Sequence, residues 1–212
     1  MDFAVLGWED VAFRLDHRQF AYAGKFVVPS GKAAVLAPDA PPIEAQPAPR
    51  EGYACGIVAA VSFSADRTDA ATLWVRYVTV RSDRRGEGIG PRLLCFLADR
   101  APTREYERVQ IAVNNPFAFE AAYKAGFAYT GASTGLAELV CRRPAGPLER
   151  VGDDEANGDN DEAPTDLADD RSGSAYREGL DVYRQRDLSL EERRFCERVR
   201  ERGPPLIVDA PA

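Results

Sequence analysis

Histidine is almost absent from this chain of 212 residues, where His17 stands alone. Cysteine is scarce as well, and Cys55, Cys95, Cys141 and Cys196 lie far apart with no CxxC pair among them. That excludes the familiar zinc-ligand spacings, and no metal is expected. Four isolated thiols suit small buried side chains in a reducing compartment. No apolar run approaches the length of a membrane span, and Met1-Asp2-Phe3 opens neither a charged nor an apolar leader region. The expectation is a cytoplasmic protein without a membrane partner. Lysine is limited to Lys25, Lys32 and Lys124, the other 24 basic residues being arginine.

Basic excess is also missing. The net charge is -7, but residues 153–170 hold nine acids and no base, so the rest of the chain carries +2. A surface so near neutrality gives no support to nucleic-acid binding, which needs many phosphates neutralised. The acidic tract reads as a solubilising tether. Its acidity and the arginine bias are compatible with a GC-rich genome or with a salt-adapted, haloarchaeal-type host.

Hydrophobic residues make up 45% of the chain, enough for one well-buried domain and an appendage. The first third reads as short strands, with a short helix capped around Asp16 to Gln19 and ended by Gly24. Five prolines between Pro38 and Pro49 mark a mobile surface loop over 37–52. Gly56 to Phe63 and Leu73 to Val80 read as a hairpin. A helix over about Pro91 to Arg100, a strand over 109–113, a helix from Phe117 to Lys124 and strands near 127–130 and 137–142 follow. This order implies a mixed α/β sheet with helices on its faces. Residues 146–172 have the composition of a disordered linker. Beyond them, 175–184 and 189–202 read as helices, the second opened by the capping box Ser189-Leu190-Glu191-Glu192. The division expected is therefore 1–145, 146–172 and a helical C-terminal appendage, 173–212, with the appendage a candidate homodimer surface.

The most informative stretch is Val75 to Leu97. A β-branched run ending Tyr77-Val78-Thr79-Val80 leads into Arg85-Gly86-Glu87-Gly88-Ile89-Gly90 and then into a helix. Three glycines let the backbone turn tightly and leave its amides bare. Those amides converge on a helix N-terminus, a ready site for a pyrophosphate. A Walker P-loop fails for want of Lys-Ser/Thr after the last glycine. The dinucleotide fingerprint fails because Pro91 stands where its last glycine belongs and no repeating βαβ pattern precedes it.

The remaining pattern, R-x-x-G-x-G at Arg85, Gly88 and Gly90, resembles motif A of the GNAT acyl-CoA N-acetyltransferase superfamily. The segment Ile111-Ala112-Val113-Asn114-Asn115, a helix, then Tyr123-Lys124-Ala125-Gly126-Phe127 is similar to that superfamily's second motif. The resemblance is specific over 72–131, plausible over 1–145 and does not extend to 146–212. It implies a mostly antiparallel twisted sheet with a central splayed parallel strand pair and flanking helices. It further implies acetyl-CoA as cosubstrate and acetyl transfer to a primary amine by direct attack in a ternary complex. The backbone of Val78 and Val80 would pair with the pantetheine arm. Amides of Arg85, Gly86, Glu87, Gly88, Ile89 and Gly90 would hold the pyrophosphate. Asn115 would touch the cofactor or steady the helix start, and Tyr123 would protonate the leaving thiolate. Tyr123 stands eight residues after Asn115, where seven is common in the family, and a packed aromatic is its alternative reading. Asp66, Asp69 and Glu120 are candidate bases by proximity in sequence. A non-catalytic acyl-CoA-binding regulatory module on the same fold is the alternative function.

Overall fold

The structure, a computed structural model, describes residues 1–148 and 173–211. The segment expected to be a disordered linker, 146–172, falls outside the described residues from 149 onward. Seven strands form one sheet: β1 (Asp2–Val11), β2 (Ser30–Leu36), β3 (Ile57–Ala65), β4 (Thr72–Val80), β5 (Arg108–Val113), β6 (Ala128–Ser133) and β7 (Leu139–Pro144). Their spatial order is β1-β2-β3-β4-β5-β7-β6. Helix α1 (Ile89–Arg100) joins β4 to β5, and α2 (Pro116–Lys124) joins β5 to β6. Parallel neighbours need such a crossover, and β4 with β5 is the one parallel pair of the sheet. The mixed α/β class and the mostly antiparallel sheet expected from the sequence are both present.

Two local features govern the middle of this sheet. The β4–β5 ladder runs from Thr72↔Arg108 to Val75↔Ile111 and stops there. Beyond it β4 continues to Val80 on β3, and β5 continues to Val113 on β7. Each strand thus stays anchored on its outer side while the inner sides part. The second feature lies at the same place. Ser62 pairs with Tyr77 but Phe63 with Val75, so Arg76 is an extra residue on β4. A bulge of this kind bends its strand and strengthens the local twist, which turns the end of β4 away from β5.

The main core lies on one face of the sheet. Leu73, Val75, Val109 and Ile111 meet Leu93, Leu94 and Leu97 of α1 and Phe119 and Ala122 of α2. Helices α3 (Ser174–Arg184) and α4 (Leu190–Arg202) bring Tyr176, Leu180, Tyr183, Cys196 and Val199 into this same core. The capping box at Ser189 and Glu192 is formed. A smaller core of Phe13, Leu15, Phe20 and Phe26 covers the opposite face over Ala34, Ile57 and Ala60.

Three local expectations differ from what is seen. The longest strand, β1, does not show as a distinct strand in the sequence, because its run D-F-A-V-L-G-W-E-D-V lacks clean alternation and carries two register shifts against β2. Residues 16–24 do not form the expected short helix. The Asp16 carboxylate instead accepts from the backbone and guanidinium of Arg18, which closes a turn, and only Ala23–Lys25 makes a 3-10 turn. The proline-rich loop is not a free one: the Gln46 side chain donates to the Pro41 and Cys55 carbonyls and accepts from the Cys55 amide.

Candidate active site

Three pieces meet at the C-terminal ends of the parted strands. Val78 and Val80 lie on β4 beyond the last rung shared with β5, half-buried against the main core. The loop follows at once. Arg84 grips Glu87 through both carboxylate oxygens, at 2.8 and 2.9 Å from its Nε, and this pair staples the loop shut on its outer side. Arg85 reaches back to the Val80 carbonyl at 3.4 Å.

Gly86 and Gly88 have φ of 85° and 73°, the left-handed region where a side chain is strained. Gly88 is also the residue that caps α1. A Cβ added at either would meet nothing within 4 Å. Their role is therefore conformational, and the space above them is open. Among the described residues, no hydrogen-bond acceptor is present for the amides of Gly86, Gly88, Ile89 or Gly90. Pro91 falls in the first turn of α1, where an amide would be unpaired in any case. Bare amides at a positive helix end, with open space before them, fit a pyrophosphate.

Asn115 caps α2: its Oδ1 accepts from the Ala118 amide at 2.9 Å and its Nδ2 donates to the Asn114 side chain. The same cap places Asn114 and Asn115 directly after the end of β5, across the opening from the glycine loop. Tyr123 is further along α2, only 7% exposed, with its ring 4.5 Å from that of Tyr176. The position seven residues after Asn115 is held by Ala122, which is fully buried.

The carboxylates suggested by sequence proximity do not converge here. Asp66 and Asp69 sit in the turn between β3 and β4, at the opposite end of β4. Asp66 accepts from Thr68 and Asp69 amides, and Asp69 binds Thr72 and Arg108. Both are turn-closing groups. Glu120 is buried beside Lys124 at 2.6 Å, Arg202 at 2.5 Å and the Tyr176 hydroxyl at 3.1 Å. Burial pushes its pKa up, but the hydrogen bonds from Lys124 and Arg202 outweigh that and hold it below the ordinary carboxylate value. It is a saturated carboxylate rather than a proton acceptor. His17 is exposed beside Tyr53.

The partners that sequence reasoning missed come from the far end of the chain. Tyr176 covers Tyr123, and Tyr183 donates to the Val113 carbonyl. Their signal was present as the i, i+4, i+7 stripe of Tyr176, Leu180 and Tyr183, all buried. A separate cavity of about 660 Å³ opens at the C-terminal half of α1, lined by Cys95, Asp99, Arg143 and residues 206–210. It lies away from the glycine loop. Among the described residues, no cluster of His, Cys, Asp or Glu could hold a metal ion, and no helix is long and apolar enough to cross a membrane.

A strand, a glycine-built loop and a helix facing a parted strand pair thus border an opening whose bare amides fit a phosphate-bearing ligand. The sequence profile of the acetyltransferase (GNAT) family matches residues 31–127. Over those residues the chain is similar to the GNAT acetyltransferases, a family that uses acetyl-CoA. Among solved structures, nourseothricin acetyltransferase is 18% identical, covers 68% of this chain and 87% of its own, and has a TM-score of 0.42. An N-acetyltransferase from Staphylococcus aureus Mu50 is 17% identical with a TM-score of 0.38 and covers 42% of this chain, which spans 62% of that protein's length. A phosphinothricin acetyltransferase from Sinorhizobium meliloti, solved with AcCoA, is 16% identical with a TM-score of 0.42 and covers 55% of this chain and 61% of its own. A search of curated proteins found no match.

Proposed function

We propose that this protein transfers the acetyl group of acetyl-CoA to a primary amine by direct attack in a ternary complex, with the chemistry in residues 1–145. The observation that carries this reading is the parting of β4 from β5 immediately beside a loop of unpartnered amides. In this reading the amides of residues 85–90 hold the pyrophosphate. The backbone of Val78 and Val80, freed from β5, pairs with the pantetheine arm as an added strand would. The thioester then rests in the opening, with Asn115 at its edge.

The amine nitrogen attacks the thioester carbonyl as a neutral base. A nitrogen–carbon bond forms, the carbon–sulfur bond breaks, and CoA leaves as thiolate. The amine proton passes to water. Tyr123 is the proposed donor to the thiolate, and Tyr123→Phe is expected to lower turnover without changing acetyl-CoA affinity. General acid–base help is worth ~10²–10⁴-fold, but CoA thiol is already a good leaving group, so orientation supplies much of the rate. In the same reading the protein works in the cytoplasm on an amine acceptor that the sequence does not name.

A second reading has its own observation: Asp66, Asp69 and Glu120 are all engaged elsewhere. That favours a non-catalytic acyl-CoA-binding module. Calorimetry at moderate salt tests binding, which Gly88→Asp should abolish through strain and through charge against the pyrophosphate. Thiol release with a panel of amines then separates enzyme from module. Binding without turnover on any amine selects the module, and absence of acetyl-CoA and CoA binding defeats both.

A further inference from the structure

Beyond Ile111 the end of β5 has lost β4 as a neighbour and is held from its other side alone. One of those holds comes from outside the sheet. The Val113 carbonyl accepts a hydrogen bond of 2.7 Å from the hydroxyl of Tyr183, a fully buried residue of α3. The same residue is the last rung of β5 on β7, Val113↔Leu139, so the Tyr183 hydroxyl adds a second tie at that rung, from outside the sheet.

Tyr183 is itself locked in place. Its ring meets Phe119 of α2 edge-on at 5.7 Å, and the Arg186 guanidinium lies 4.7 Å over it. Helix α3 grips α2 at two more points. Tyr176 stacks on Phe119 at 5.6 Å, and Gly179 comes so close that an added Cβ would lie 2.2 Å from the Phe119 ring. Strand β5 and helix α2 are thus fixed together by one helix from the far end of the chain. Between them lie only Asn114 and Asn115, the turn that borders the opening.

We propose that Tyr183 is a positioning residue of the transfer site: its hydroxyl holds the end of β5, and with it the Asn114–Asn115 turn, in the parted arrangement that a bound thioester requires. This rests on the acyltransferase reading given above. The C-terminal helices then complete the site rather than merely accompany it. Displacement of a reacting group by ~1 Å can lower turnover about 100-fold, so one hydrogen bond at this place has leverage beyond its own strength.

Tyr183→Phe keeps the ring and deletes the bond. The expected result is a fall in kcat of about 10-fold, with KM for acetyl-CoA unchanged because the glycine loop is untouched. Phe13→Leu, in the opposite core, serves as a control for general destabilisation. An unchanged kcat in Tyr183→Phe, or an equal fall in Phe13→Leu, overturns the proposal. Hydrogen exchange gives a readout independent of activity. Exchange should quicken over residues 111–118 in Tyr183→Phe and stay as in the wild type over 89–100. No change at 111–118 would count against the proposal. In the wild type the amides of 112 and 113 should be as protected as those of 139 and 141, and rapid exchange there overturns the proposal even if the variant does not fold. A wild type that releases no thiol with any amine defeats the acyltransferase reading, while the exchange pattern still decides whether Tyr183 holds β5.

Discussion

Replacing Gly88 by alanine isolates backbone conformation from every other effect in the loop. Gly88 has φ of 73°, and an added Cβ meets no atom within 4 Å. The whole cost is therefore the left-handed conformation, roughly 1–2 kcal/mol for an ordinary residue. In a protein of this size about 1 kcal/mol moves Tm by about 2–4 °C, so Gly88→Ala should lower Tm by ~2–8 °C. If the loop relaxes to escape the strain, its amides turn away, and acetyl-CoA affinity should fall by a similar free energy, about 5- to 30-fold. Gly90→Ala is the matched contrast. Gly90 lies inside α1 without a positive φ, and its Cβ would touch Val80 Cγ2 at 3.4 Å. Alanine there gains about 0.5–1 kcal/mol of helix preference, so Tm should hold or rise. Thermal melts and calorimetry on the two variants make the comparison. Equal Tm values, or a Gly88→Ala that binds acetyl-CoA as tightly as the wild type, would refute the assignment of Gly88 as a conformational glycine of the cofactor loop.

Three further outcomes follow from the buried polar groups. Glu120→Gln leaves Lys124 and Arg202 without their shared anion; as those partners are partly exposed, the expected loss is about 1–3 kcal/mol. Because Glu120 titrates below its unfolded value of 4.5, its contribution is present above that pH and fades as pH falls through the folded value, so the acid limb of a stability profile should flatten in the variant. Burial lowers the Lys32 pKa from 10.5 to about 8, its ammonium donating to the Val28 carbonyl and the Ser30 hydroxyl. The unfolded chain then binds more protons between those values, so wild-type stability should gain a rising component from pH 8 to 10.5 that Lys32→Met removes. Of the four thiols, Cys55 alone is exposed, and burial pushes Cys141 up to about 12. A thiol reagent at pH 8 should titrate one fast cysteine in the native protein, and two or more would contradict the packing.

The site was legible in the sequence where its geometry is local. Gly86 and Gly88 had to be glycine because the turn needs positive φ, and the spacing Asn115…Gly126-Phe127 is set by one short helix and its cap. The parting of the strands was expected only through the family resemblance; its local cause, the extra residue Arg76, is invisible until β3 supplies the register. Proximity in sequence misled for Asp66 and Asp69. They precede β4, whose nine residues, at about 3.3 Å per step, put roughly 26 Å of strand between its start and Val80 beside the glycine loop. Glu120 was close enough but already engaged by Arg202, from the far end of the chain. Tyr176 and Tyr183 sat in a readable apolar stripe, yet a stripe records that a face is buried and not against what. Strand β1 stayed hidden because its register shifts break the alternation that marks a half-buried strand.

The central claim is that the amides of residues 86–90 form the cofactor site beside the parted strands. Titrating acetyl-CoA into isotope-labelled protein and following backbone amide shifts tests it most directly. The account predicts saturable shifts concentrated at residues 85–90, with smaller ones at 78–80 and 113–115. Shifts centred instead on Cys95, Asp99 and residues 206–210, or none at all, would contradict it.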